Sequence, residues 1–476
     1  MLFNSIQFAI FLPILFILYW LCKSVTYKNI TLLSASYFFY ACWDWRFLFL
    51  LLFSTVLDFY SGNKISNTAN NRKKKFWLTA SIMINLCILS FFKYYNFFVQ
   101  SFQEVIATLG LHINPWTLEI ILPVGISFYT FHGISYVIDI YKKSIQPEKK
   151  FINYALFVSF FPLLVAGPIE RAKHLLPQIH KNRCFDYEKA TDGLRQILWG
   201  LFKKIVIADQ CSVYSDMIFN EPEKYSASTL LLGAVFFTFQ IYADFSGYSD
   251  IAIGTARLFN IDLMRNFNFP YFSKSISEFW TRWHISLSTW FRDYIYIPLG
   301  GNKINTLTTI RNIFILFLLS GLWHGANWTF IIWGLLHAIY ILPSIVFNTY
   351  TAQTTVIAKS KNLPSIKECI QMSITFGLVV FAWIFFRAEN MTHAFTFIAG
   401  MYAPSILSIP SILPKMLFLF IIMFVFIEWI GKEKEYALAK GNSKIPRFIR
   451  WIFYYIIIFL ILHFAGPKQQ FIYFQF

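Results

Sequence analysis

Phe317-Leu318-Leu319-Ser320-Gly321-Leu322-Trp323-His324-Gly325-Ala326-Asn327-Trp328-Thr329-Phe330-Ile331-Ile332-Trp333 lies inside a longer run, Ile313 to Phe347, that contains no Asp, Glu, Lys or Arg. A membrane-spanning helix needs about 20 apolar residues. The run therefore reads as two spans, near 310–322 and 327–347, with His324 and Gly325 close to where they meet. An ionisable side chain at membrane depth is costly and usually marks a function. A second histidine, His284, stands about forty residues earlier in Phe279-Trp280-Thr281-Arg282-Trp283-His284-Ile285-Ser286-Leu287-Ser288.

The rest of the chain agrees with a polytopic, all-α membrane protein. Of 476 residues, 57% are hydrophobic and 20% aromatic, and only 14% are charged, against roughly a quarter in soluble domains. Further apolar runs lie near 5–21, 30–41, 45–60, 76–98, 119–140, 151–166, 191–214, 228–259, 370–387, 413–430 and 449–465. The expectation is about 11–13 transmembrane or re-entrant helices in a single domain, 1–476. Short spans are tolerated as re-entrant segments only where protein or water covers their backbone. The polar stretches between spans are too short for an independent soluble core.

Ser5 to Leu21 is expected to be a retained span and not a cleaved signal, because no Lys or Arg precedes it and no small-residue cleavage site follows. Lys23 and Lys28 come directly after it, which orients the first helix outside to inside. The net charge of +17 is gathered in loops such as Arg72-Lys73-Lys74-Lys75 and Lys142-Lys143, which suits a cytoplasmic face against anionic lipid and not nucleic acid. Six scattered cysteines form no zinc spacing and read as small buried hydrophobes.

The core motif region is about 236–347. Between Phe236 and Gly301 polar and aromatic residues are densely mixed, and Pro298 with Gly300-Gly301 should end any helix. On a helix from about 277 to 296, Arg282, Ser286 and Asp293 would share one face and His284 and Ser288 another. Asp244 and Asp250, six apart, fall on no common helical face and read as loop or cavity-lining acids. Trp323, Asn327, Asp244, Arg282, Ser286, Ser288 and Asp293 are the candidate substrate-binding or funnel-lining residues, and no metal site is expected.

For His324 two readings stand. It is a core imidazole satisfied by backbone, or it is a general base held neutral by burial that takes a proton from an attacking hydroxyl, with Trp323 and Trp328 as apolar wall. His284 is either an interfacial helix residue or a group that orients substrate or stabilises developing charge. His337 reads as core. The chain has no G-x-S-x-G, P-loop, dinucleotide fingerprint or H-E-x-x-H, so a serine hydrolase, an ATPase and a metalloprotease have no motif to stand on.

Together with Leu122-Pro123-Val124-Gly125-Ile126-Ser127-Phe128-Tyr129, Gly167-Pro168-Ile169-Glu170-Arg171, Asp244-Phe245-Ser246-Gly247-Tyr248-Ser249-Asp250 and Phe386-Arg387-Ala388-Glu389-Asn390, the two histidine runs make the chain resemble the membrane-bound O-acyltransferase family, in its alginate O-acetylation branch. The resemblance implies a ring of helices around a central funnel, with His324 at the family's invariant position and His284 at its other recurrent histidine. It implies an acetyltransferase with no bound cofactor that uses acetyl-CoA from the cytoplasmic side. The acyl group would leave towards an extracytoplasmic SGNH-type acetyltransferase or similar acceptor protein, and finally a polysaccharide. The setting implied is the cell (inner) membrane. D-alanyl transfer to teichoic acid is the alternative within the family. A non-enzymatic glycan-lipid transporter is the alternative outside it. Against the transporter stand the absence of an internal repeat, acids that do not read as mid-helix pairs, and the His324 motif.

Overall fold

The computed structural model describes residues 1–111, 117–347, 357–358, 363–439, 446–466, 469 and 471–472. Among them the regular secondary structure is all helical, with no strand. Contacts gather it into two compact units, residues 1–193 with 255–264, and residues 194–254 with 265–476.

The first unit opens with α1 (Ile6–Leu21), α2 (Val25–Asp44), α3 (Arg46–Asn67) and α4 (Asn71–Thr108), and continues through α5 (Ile126–Tyr141), α6 (Phe151–Ser159), α7 (Phe161–Ala166) and α8 (Ala172–His180). Polar caps set the starts. Ser5, Ser24 and Asn70 each accept a hydrogen bond from the first turn of α1, α2 and α4, which matters most where no water can satisfy a bare amide. At 1.5 Å per residue α4 is about 57 Å long, more than a bilayer core requires. Its apolar window is only 17% buried, so most of that stretch lies at the outer surface, where lipid can cover it. The expected span at 119–140 starts later, at Ile126, because Gly125 adopts a left-handed conformation (φ 75°) before it. The expected span at 151–166 is broken at Phe160. Pro162 has no amide hydrogen with which to continue the ladder.

α9 (Tyr187–Phe202) leads into the second unit. There the expected 191–214 span is interrupted by a π-helical insertion, Lys203–Ala208, before α10 (Asp209–Asn220). α11 (Ala227–Leu258) follows, then α12 (Ile276–Arg282), α13 (Ile285–Phe291), α14 (Thr306–His324), α15 (Trp328–Val346), α16 (Ile366–Arg387), α17 (Met391–Met401), α18 (Lys415–Gly431) and α19 (Arg447–His463). The apolar window of α11 is 83% buried, the reverse of α4. α9 and α11 cross where Gly200 faces the carbonyl of Gly247, a contact that leaves no room for side chains. α14 and α15 form a tight hairpin by the same device. A Cβ at Gly321 would fall on the Phe330 carbonyl, and one at Gly334 on the Phe317 carbonyl.

Among the described residues, five helices are long and apolar enough to cross a membrane by themselves: α4, α11, α14, α15 and α16. The protein is a multi-pass membrane protein. All six cysteines are free thiols, but only Cys211 is buried; Cys42, Cys87, Cys184 and Cys369 are exposed. The reading of them as buried hydrophobes is therefore corrected. With no charge to hide, a thiol is as well placed on an apolar outer surface as in a core.

Candidate active site

The helix expected over 277–296 does not form. α12 ends at Arg282, Trp283 is extended, and His284 takes a left-handed conformation (φ 43°, ψ 54°) before α13 begins. Such a backbone costs a non-glycine residue roughly 1–2 kcal/mol and persists only where its surroundings impose it. The imposing segment is 266–268. The Asn268 amide donates to the Arg282 carbonyl at 2.9 Å and the Ile285 amide donates to the Asn266 carbonyl at 2.8 Å. The Ser286 hydroxyl donates to Asn266 Oδ1 at 2.6 Å. Arg282 pairs with Glu278 at 2.7 Å and donates to the Asn268 carbonyl at 3.1 Å. Arg282 and Ser286 thus brace the break and do not share a face with Asp293, which pairs with Arg292 at 2.8 Å on a separate π-helical turn, Arg292–Tyr296. Ser288 reaches back to the Trp283 carbonyl at 3.4 Å.

His324 closes α14 and Asn327 opens α15. The Asn327 side chain accepts from the Thr329 amide at 3.0 Å and donates to the Glu389 carbonyl at 2.7 Å, so it caps a helix and pins the hairpin to the segment after α16. The His284 and His324 ring centroids are 6.4 Å apart. Both side chains are buried, at 0% and 3% exposure. Around them Phe245 stands edge-on to His284 at 4.7 Å, Trp323 contacts both rings at 5.8 and 4.8 Å, and Trp333 and Phe386 meet His324 at 5.0 and 5.4 Å. Trp328, expected in this wall, is 51% exposed; Trp333 and Phe386 take the place assigned to it. Burial pushes the His284 imidazole down to about 3, so this ring is neutral at any physiological pH, with one N–H to give and one lone pair to accept. Two adjacent buried imidazoles in an aromatic enclosure suit proton transfer and hydrogen bonding to a polarised carbonyl.

Asp244 and Asp250 lie on α11, within a helix and not in a loop. The π-helical insertion aims a lysine at each. Lys203 meets Asp250 at 2.6 Å and the Ser246 hydroxyl at 2.9 Å. Lys204 meets Asp244 at 2.9 Å and Asp209 at 2.7 Å. Asp244 also accepts from the Ile472 amide at 2.8 Å. Phe471 beside it contacts Tyr248 at 4.5 Å and Phe245 at 6.2 Å, and Phe245 is the ring against His284. Asp244 thus bears on the histidines through packing and not by contact. Sequence reading missed Lys203, Lys204 and Glu428, which holds the Tyr242 hydroxyl at 2.8 Å. The available signal was charge within the apolar runs 191–214 and 413–430. A small polar cleft lined by Lys203, Tyr242, Asp250, Arg265, Asn266 and Glu428 adjoins this network.

In the first unit, Glu170 organises the Gly167–Arg171 motif. Its carboxylate takes His174 Nδ1 at 2.7 Å and the Met264 amide, and its own amide donates to His132 Nε2 at 3.1 Å. It is fully buried and acts as a brace within that unit.

Set against known proteins, residues 147–386 match the profile of the membrane-bound O-acyltransferase family. A probable alginate O-acetylase of Pseudomonas aeruginosa is 42% identical over 406 residues, covering 85% of this chain and 75% of its own. A peptidoglycan O-acetyltransferase of Helicobacter pylori is 38% identical over 432 residues, covering 84% and 80%. A teichoic acid D-alanyltransferase of Bacillus subtilis is 30% identical over 285 residues, covering 57% and 70%.

Proposed function

Because the chain belongs to the membrane-bound O-acyltransferase family and is therefore an O-acyltransferase, we propose that it passes acetyl groups to hydroxyls of a cell-envelope polysaccharide, with His324 as general base. The observation that carries the reading is the buried pair of imidazoles with ring centroids 6.4 Å apart. A hydroxyl attacks the thioester carbonyl while His324 takes its proton. The oxyanion of the tetrahedral intermediate accepts a hydrogen bond from the N–H of His284. The C–S bond then breaks, and the thiolate leaves with the proton returned by His324. The aromatic enclosure keeps bulk water from the thioester, which limits hydrolysis.

The donor in this reading is acetyl-CoA, met from the cytoplasm through a funnel ringed by helices in the cell (inner) membrane. The acetyl group leaves to an extracytoplasmic SGNH-type acetyltransferase or similar protein, and thence to the glycan. Alginate and peptidoglycan acetylation by the two relatives above supports an acetyl donor. D-alanyl transfer is the second reading, supported by the more distant relative at 30% identity. Inside-out vesicles given labelled acetyl-CoA, with the partner enclosed in the lumen, distinguish them. Label should reach the lumenal acceptor, and only when His324 is intact. Equal transfer by His324→Ala vesicles, or transfer only from a D-alanyl carrier, overturns the reading.

A further inference from the structure

We infer that the hydrogen bond between Trp280 and His337 is a brace that sets the spacing of the two site histidines, which makes His337 a positioning residue for acyl transfer. The inference rests on the reading of His284 and His324 given above. Trp280 Nε1 lies 3.2 Å from His337 Nδ1. An indole nitrogen only donates, so Nδ1 is the accepting lone pair and the proton of this ring sits on Nε2. His337 is fully buried.

Trp280 stands on the helix that leads into His284, and His337 stands on the second helix of the hairpin whose first helix ends at His324. Trp280 is in the last turn of α12, four residues before His284, and α12 ends in the strained turn that presents His284. His337 is in α15, one turn after Trp333, and the Trp333 ring touches both His337 and His324 at 5.0 Å. Phe279 stacks on His337 at 6.3 Å and 6°, so two consecutive residues of α12 clasp one imidazole. A second route runs through rings alone, from Trp283 to Trp383 at 5.1 Å and from Trp383 to Trp333 at 5.6 Å. Apolar stacking has shallow directional preference, whereas a hydrogen bond fixes one distance and one angle. The Trp280–His337 bond is therefore a directional tie between α12 and α15. A shift of about 1 Å at such a site costs up to about 10²-fold in rate.

The test compares variants that part volume from hydrogen bonding. His337→Phe keeps a ring and loses the acceptor. His337→Asn loses ring volume and places an oxygen near the position of Nδ1. Trp280→Phe removes the donor from the other helix. Each variant is expressed in cells deleted for the gene. Ester-linked acyl groups on envelope glycans are measured by mass spectrometry. Incorporation from labelled acetyl-CoA is followed in membranes over a range of concentrations, at matched protein level, with His324→Ala alongside. His337→Phe and Trp280→Phe should each lower the maximal rate about tenfold with the half-saturating concentration unchanged. The double variant should be no worse than either single one, and His337→Asn should recover most of the rate. Full activity in His337→Phe overturns the inference, as does an equal loss in His337→Phe and His337→Asn that tracks a lowered melting temperature. Full activity in His324→Ala would instead overturn the catalytic reading on which it rests.

Discussion

At the scale of single residues, the proposed reaction rests on two histidines that are buried away from water. His324→Ala should reduce glycan acylation about 10²–10⁴-fold while the protein still accumulates in the membrane, as read by glycan mass analysis beside an immunoblot. His284→Ala should fall less far, because a neighbouring donor to an oxyanion is lost and the base remains. His284 also leaves a mark on stability. Its folded value is pushed down to about 3 by burial, against about 6.5 when unfolded. Its stabilising contribution is therefore complete above about pH 6.5 and is lost progressively as pH falls towards 3. The melting temperature of the detergent-solubilised protein should drop between pH 7 and pH 5, and His284→Gln should show a smaller drop. Both histidines stand out in the sequence because each lies in a tryptophan-rich run, and the structure brings their rings together. The turn that presents His284 was not legible. It is dictated by Asn266 and Asn268, whose backbone bonds to residues 282 and 285 are not local, so periodicity alone extends a helix straight through it.

At the scale of elements, apolar run length placed the spans well, and the ends of α1, α11, α15 and α16 fall within a few residues of expectation. Local polar residues explain these ends, such as Ser365 with Glu368 in a capping box on α16. The interruptions at Phe160 and at Lys203–Ala208 escaped because they keep the apolar run intact while changing its twist. The short helices α8 and α17 escaped because at 9 and 11 residues they fall well below the length of a membrane span. Close helix approach makes a clean contrast. Gly334→Ala should lower the melting temperature by several degrees, since the added carbon meets the Phe317 carbonyl within the α14–α15 hairpin. Gly377→Ala, on α16 with nothing within 4 Å of the added carbon, should leave it unchanged or raise it slightly. Thermal unfolding of the two variants in one detergent checks both.

For the whole molecule, the distribution of charge predicts orientation. Arg72 to Lys75 occupy the first turns of α4, directly before its apolar stretch, and should face the cytoplasm. A Lys74→Cys variant should resist a membrane-impermeant thiol reagent applied to intact cells and react once the cells are opened; efficient labelling from outside would invert the topology. The opposed burial of α4 and α11 bears on how the chain is assembled. α11 carries Asp244 and Asp250 into an apolar setting, and carboxylates there are expensive until neutralised. The cations that neutralise them, Lys203 and Lys204, lie earlier in the chain and so leave the ribosome first. Order of synthesis therefore supplies each acid with a waiting counter-charge. A π-helical insertion that looks like an irregularity in the finished protein would, during biogenesis, be the docking point that lets a long helix carrying two acids settle among the others.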